Sequence, residues 1–257
     1  MRESVTPELE ARPAEKAAVN VDERHVKGYV IGAGVVLGVM SFAADVAPDP
    51  IGHIIQAVFS TAAAWCSLAV IAGYMCVRRR SSSLAATGLL LLATLTYYST
   101  VALSGVRAGG YEATQTSAGP VFSSPSWIEE LGSMARGVGF WAAASVLAGV
   151  VMGQLGFAIR NSSALLQTAA VGVTFGIVAG PGVNALLFVA RVGVNTTTSE
   201  QILPAICQIV LACIILIGAA ALKAKRINWA VLTLMSLTST AAVAGLWEMV
   251  GGIRGAL

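Results

Sequence analysis

An all-α fold, a polytopic membrane helix bundle of about seven transmembrane helices with a cytoplasmic N-terminus, is predicted by three features of the sequence. Charge is scarce: 11% of the 257 residues are Asp, Glu, Lys or Arg, against about 25% in soluble domains. Apolar residues make up 56% of the chain, and the mean hydropathy is +0.77. They gather in seven runs close to the roughly 20 residues that a helix needs to cross the hydrocarbon. The third feature is the placement of Lys and Arg, which alternates with the runs as the positive-inside rule requires.

In chain order the predicted spans are 28–44, about 54–77, about 84–105, 137–159, 164–190, about 204–222 and 229–249. The first closes on Asp45-Val-Ala-Pro-Asp-Pro50, and the second on Arg78-Arg79-Arg80. Of sixteen Lys and Arg, twelve fall on one side: Arg2, Arg12, Lys16, Arg24, Lys27, Arg78, Arg79, Arg80, Arg160, Lys223, Lys225 and Arg226. Arg107, Arg136, Arg191 and Arg254 fall on the other. A miscounted helix would scramble this asymmetry downstream of the error, so the pattern supports seven spans with the N-terminus inside. Residues 1–26 are mixed-charge, lack the apolar core of a signal peptide, and read as a disordered cytoplasmic tail. The transmembrane domain then covers 27–257 and carries one long outer loop at 106–136. Within it Ser126-Trp127-Ile128-Glu129 fits a capping box, predicting a short interfacial helix over 126–135.

The net charge of +3 is a matter of topology here and gives no footprint for nucleic acid. Cys66, Cys76, Cys207 and Cys213 lie inside apolar runs with no C-x-x-C pair or His cluster, so no metal and no cofactor is expected. G-x-S-x-G, H-E-x-x-H and the P-loop are absent from the sequence, as is an Asp-rich motif for a diphosphate.

Ionisable groups within a bilayer are costly, which makes each one a functional candidate. The direction of each span sets their depth. Asp45 closes the first span on the outer side, and His53 and Gln56 open the second there. Tyr97 and Tyr98 fall in the outer half of the third span, Trp141 in that of the fourth, and Asn184 in that of the fifth. Asn184 follows Gly180-Pro181-Gly182, which removes a backbone donor and predicts a kink or break. Trp247 and Glu248 lie near the outer end of the seventh span, and Trp65 adds an aromatic surface in the second. Most of the unusual side chains thus share one leaflet.

The run Gly38-Val-Met-Ser-Phe-Ala-Ala-Asp45 through Pro50, with Tyr97-Tyr98, resembles a family of small bacterial membrane proteins of largely unknown function. In size, helix count and acids near the ends of separate helices, the chain also resembles the integral-membrane terpene cyclases of meroterpenoid pathways. That resemblance implies a metal-independent enzyme that protonates a prenyl alkene or epoxide from an intramembrane acid. The fungal members of that family place acids in the second and last helices. Here Glu248 would be the last-helix acid, and Asp45 would have to stand in for the second-helix acid that the sequence lacks. Trp65, Tyr97, Tyr98, Trp141, Asn184, Trp247, Gln56 and His53 would line the substrate, the aromatic faces stabilising carbocations. The competing reading is a non-enzymatic carrier, or an accessory or immunity protein, holding a lipophilic ligand in an outer-leaflet pocket. Either way the partners are the cell membrane and a lipophilic small molecule, prenylated substrate or lipid.

Overall fold

A computed structural model describes residues 13–48, 51–104, 112–116, 119–123, 127–194, 196–223 and 227–254. The elements are α1 (Pro13–Val46), α2 (Ile51–Phe59), α3 (Ala62–Met75), α4 (Arg79–Ser104), β1 (Glu112–Thr116), β2 (Gly119–Ser123), α5 (Trp127–Asn161), α6 (Ala164–Val192), α7 (Thr196–Lys223) and α8 (Trp229–Arg254). Six of these helices contain a stretch long and apolar enough to cross a membrane, and α2 with α3 adds a seventh if the pair is one broken span. Their outward faces are apolar: Leu84, Leu147, Ile217 and Leu237 are all more than 60% exposed. So much uncovered hydrocarbon is suited to lipid and not to water. The chain is a multi-pass helical membrane protein.

Three boundaries differ from expectation. The segment 54–77 is not one helix: it divides at Ser60–Thr61, and its halves are bent by 41°. Ser and Thr hydroxyls compete for backbone groups and favour helix starts over helix interiors. Thr61 does so here, with extended backbone and its side chain accepting from the Ala64 N–H at 3.4 Å. The interfacial helix expected at 126–135 is no separate element but the beginning of α5, which runs unbroken for 35 residues. The Gly180-Pro181-Gly182 step is likewise absorbed, and α6 continues through it. Helix α1 is described from Pro13, where Ala14, Glu15, Lys16, Ala17 and Ala18 are good helix formers. Between α4 and α5, β1 and β2 pair as an antiparallel hairpin with Glu112 opposite Ser123.

Small residues let the helices touch through their backbones, as membrane helices need when lipid removes the hydrophobic drive between them. On α5, Gly149, Gly153 and Gly156 form one face. A Cβ at Gly153 would lie 2.5 Å from the Ser82 carbonyl of α4, and one at Gly156 would strike the Val70 carbonyl of α3. Gly172, Gly176 and Gly180 give α6 a second such face against α8, meeting Met235, Ser239 and Val243 in turn. Since both series ascend together, α6 and α8 run parallel. The larger core joins α1, α3, α4 and α5 around Leu37, Ala69, Leu89, Leu90 and Met152. A smaller one joins α3, α6 and α7 through Ala63, Val178, Ala179 and Ala212. Helix α6 is central: 44% of its spanning stretch is buried, against 11% for α7.

These contacts give the bundle two distinct ends. At one lie the C-terminus of α3, the N-terminus of α4 and the C-terminus of α5, with Arg78, Arg79, Arg80 and Arg160. At the other lie the C-termini of α1 and α4 and the first turns of α5, with Tyr97 and Tyr98. We call them the arginine end and the tyrosine end.

Candidate functional site

The close approach of α1 to α4 builds the site. A Cβ at Gly38 would fall 2.5 Å from the Ala93 carbonyl and 3.0 Å from the Tyr97 nitrogen, so α1 lies directly on α4 there. Seven residues later, two helical turns along the same face, Asp45 reaches the tyrosine end. The Tyr97 hydroxyl donates to Asp45 Oδ2 at 2.6 Å, which is short for an O–H···O bond and in the range of charge-assisted ones. Tyr97 and Tyr98 meet edge to face with ring centroids 5.1 Å apart. Tyr98 in turn reaches α5, its hydroxyl lying 2.9 Å from where a Gly137 Cβ would stand. One turn further along α5, Phe140 and Trp141 form another edge-to-face pair, 5.2 Å between centroids. Asp45 is exposed and both tyrosines are half-buried. The result is a carboxyl group beside aromatic edges at the join of three helices.

Helix α2 adjoins this end, because the Gly52 N–H bonds the Pro48 carbonyl just after α1 stops. It carries His53, half-buried, and Gln56, exposed. The break below it is built from side chains. The Phe59 carbonyl, released where α2 ends, accepts from the Trp65 indole at 3.0 Å and from the Ser41 hydroxyl at 3.2 Å. Ser60 returns a bond to the Ser41 carbonyl at 3.3 Å. Trp65 therefore holds the break together at mid-depth, and Ser41, Ser60 and Thr61 are participants the sequence reading passed over. Their signal was a pair of hydroxyls inside an apolar run.

The remaining candidates lie elsewhere in the bundle. Glu248 pairs with Arg191 of α6 at 3.3 Å, with the two side chains 58% and 68% exposed. Arg191 was not among the expected site residues, although its place at a span end on the side poor in basic residues marked it. Trp247 and Asn184 are half-buried on α8 and α6. Since α1 packs on α2, α3 and α4 while α8 packs on α6, Asp45 and Glu248 stand in separate helix pairs. The structure gathers Asp45, Tyr97 and Tyr98, and it sets Glu248, Trp247 and Asn184 apart from them. Among the described residues no three His, Cys, Asp or Glu side chains gather into a group fit for a metal ion.

Residues 124–252, just over half of the chain, match the model of a family of unknown function, DUF6518. The chain belongs to this family. The DUF6518 match takes in α5 to α8, and so the glycine faces of α5 and α6 and the Arg191–Glu248 pair. Asp45, Tyr97 and the α2–α3 break precede it. No curated protein and no solved structure matches the chain.

Proposed function

We propose that the chain is a non-enzymatic protein of the cell membrane that holds an amphiphilic lipid-like molecule at the tyrosine end. The observation that carries this reading is the Tyr97–Asp45 hydrogen bond beside the Tyr98 ring. A carboxyl and a phenol offer several acceptor positions to a hydroxyl or ammonium headgroup. The tyrosine edges and the Phe140–Trp141 pair offer an apolar wall to the chain that follows it. The test is lipid mass spectrometry on protein purified in mild detergent. Asp45→Asn and Tyr97→Phe should each lose a molecule that co-purifies with the wild type. An unchanged profile for both variants would dismiss the reading.

Acid-initiated cyclisation of a prenyl chain is the second reading, and one observation favours it. Asp45 lies beside two tyrosine rings, as an acid feeding a carbocation would need. Glu248 faces the Arg191 guanidinium instead, a fixed cation that would repel a carbocation formed beside it. Under this reading Asp45→Asn abolishes cyclised product while Glu248→Gln leaves it. If neither change affects product formation from a prenylated substrate, the cyclase reading goes.

A further inference from the structure

The arginine end presents positive charge that the helices around it do not neutralise. Arg78 occupies the turn between α3 and α4, Arg79 and Arg80 open α4, and Arg160 lies in the last turn of α5. Two of the four are held in place by neutral groups. Arg160 Nη1 donates to the Tyr74 carbonyl at 3.2 Å and the Met75 carbonyl at 2.9 Å, and its guanidinium lies 5.9 Å from the Tyr74 ring centre. Arg79 donates to the Gln154 side-chain oxygen, while the Gln154 amide bonds the Arg79 carbonyl and the Ser83 hydroxyl. Neutral partners fix these guanidiniums and leave their charge intact. Arg78 and Arg80 are exposed.

Among the described residues no carboxylate pairs with them. Helices α3, α4 and α6 contain no Asp or Glu, and those of α5, Glu129 and Glu130, stand in its opening turn at the other end. On α1, Glu15, Asp22 and Glu23 are matched in number by Lys16, Arg24 and Lys27, so that helix brings no surplus of negative charge to this end. The four arginines also flank helices that span the membrane, α4 from Arg79 and α5 to Asn161. That position puts them at headgroup depth, where basic residues attract anionic lipid. An apolar track leads up to them as well. Ile71 and Tyr74 are exposed one turn apart on α3, Val77 is exposed in the turn that leads to Arg78, and exposed Leu84 lies one turn from Arg80. A free anion has no use for such a track, whereas acyl chains do.

We infer that the α3–α4 turn, with Arg160 beside it, is a docking site for the phosphate headgroup of an anionic phospholipid whose acyl chains lie along Ile71, Tyr74 and Leu84. Arg79 and Arg160 form its fixed floor, and Arg78 and Arg80 close on the phosphate from the exposed side.

The experiment compares lipid retention by native mass spectrometry after transfer from nanodiscs of mixed phosphatidylglycerol and phosphatidylcholine. Wild type should keep phosphatidylglycerol in preference to phosphatidylcholine. The double change Arg78→Gln with Arg80→Gln, which touches no fixed contact, should lower that retention several-fold at an unchanged melting temperature. Arg136→Gln removes an arginine from the opposite end and should leave retention as it was. Equal retention by wild type and the double variant would overturn the assignment. So would an equal loss with Arg136→Gln, which would reduce the effect to net charge. Displacement by inorganic phosphate at matched ionic strength would show a soluble anion site and overturn the lipid.

Discussion

The two ends of the bundle are joined by different means. At the arginine end, helices meet backbone to backbone. Gly153 and Gly156 admit α3 and α4 to contact distance, and the fully buried Ser82 hydroxyl lies within bonding reach of the Gly73 and Gly153 carbonyls. Arg160 closes the last carbonyls of α3. At the tyrosine end Gly38 still seats α1 on α4, but beyond it the joins are side chain to side chain and open to the surroundings, as in Tyr97–Asp45 and Arg191–Glu248. A backbone contact leaves no room for adjustment, while a pair of exposed side chains can part and re-form. The difference assigns structure to one end and exchangeable polar groups to the other.

The contrast is broken most severely by Gly156→Leu. Its Cβ meets the Val70 carbonyl, so the cost should reach about 3 kcal/mol, the upper part of the range for overpacking. The readout is a large fall in melting temperature with loss of monodispersity in detergent. Ser82→Ala should come next, at about 1–2 kcal/mol, since buried carbonyls lose a donor without gaining water. Melting of that variant against Ser99→Ala, an exposed hydroxyl of the same helix, isolates the buried term. Tyr97→Phe should cost no more than about 1 kcal/mol in stability, and its larger effect should fall on ligand retention. Smallest of all is Glu248→Gln: an exposed pair of this kind contributes about 0–1 kcal/mol, so its melting temperature should barely move and should be insensitive to salt. A Glu248→Gln effect as large as that of Ser82→Ala would erase the distinction between the ends.

Depth was legible in the sequence and azimuth was not. Apolar run length and the alternation of Lys and Arg are one-dimensional signals, and they were enough to put Asp45, Tyr97 and Glu248 at similar heights. Which helices are neighbours is decided by side-chain fit. The glycines that decide it, spaced by four at Gly149 and Gly153 and at Gly172, Gly176 and Gly180, are written in the sequence, but run length and charge alternation give them no weight. Nothing in the run lengths separates Glu248 from Asp45; the register of α8 on α6 and of α1 on α4 does. The α2–α3 break escaped for a related reason. Ser60 and Thr61 hardly lower the hydropathy of their segment, and the break is secured by Ser41 from another helix. A window sliding along one helix cannot see that partner.

Helix α5 has a consequence for reach. Its 35 residues make a rod about 52 Å long at roughly 1.5 Å per residue, against a hydrocarbon core of about 30 Å. One end is tethered, since Arg160 is bound to the close of α3, so the excess length has to emerge at the other. The head of α5 at Trp127 is therefore the top of a stiff post rooted in the bilayer. A pull on that head arrives at Gly137, and at the Tyr98 hydroxyl beside it, through unbroken helix.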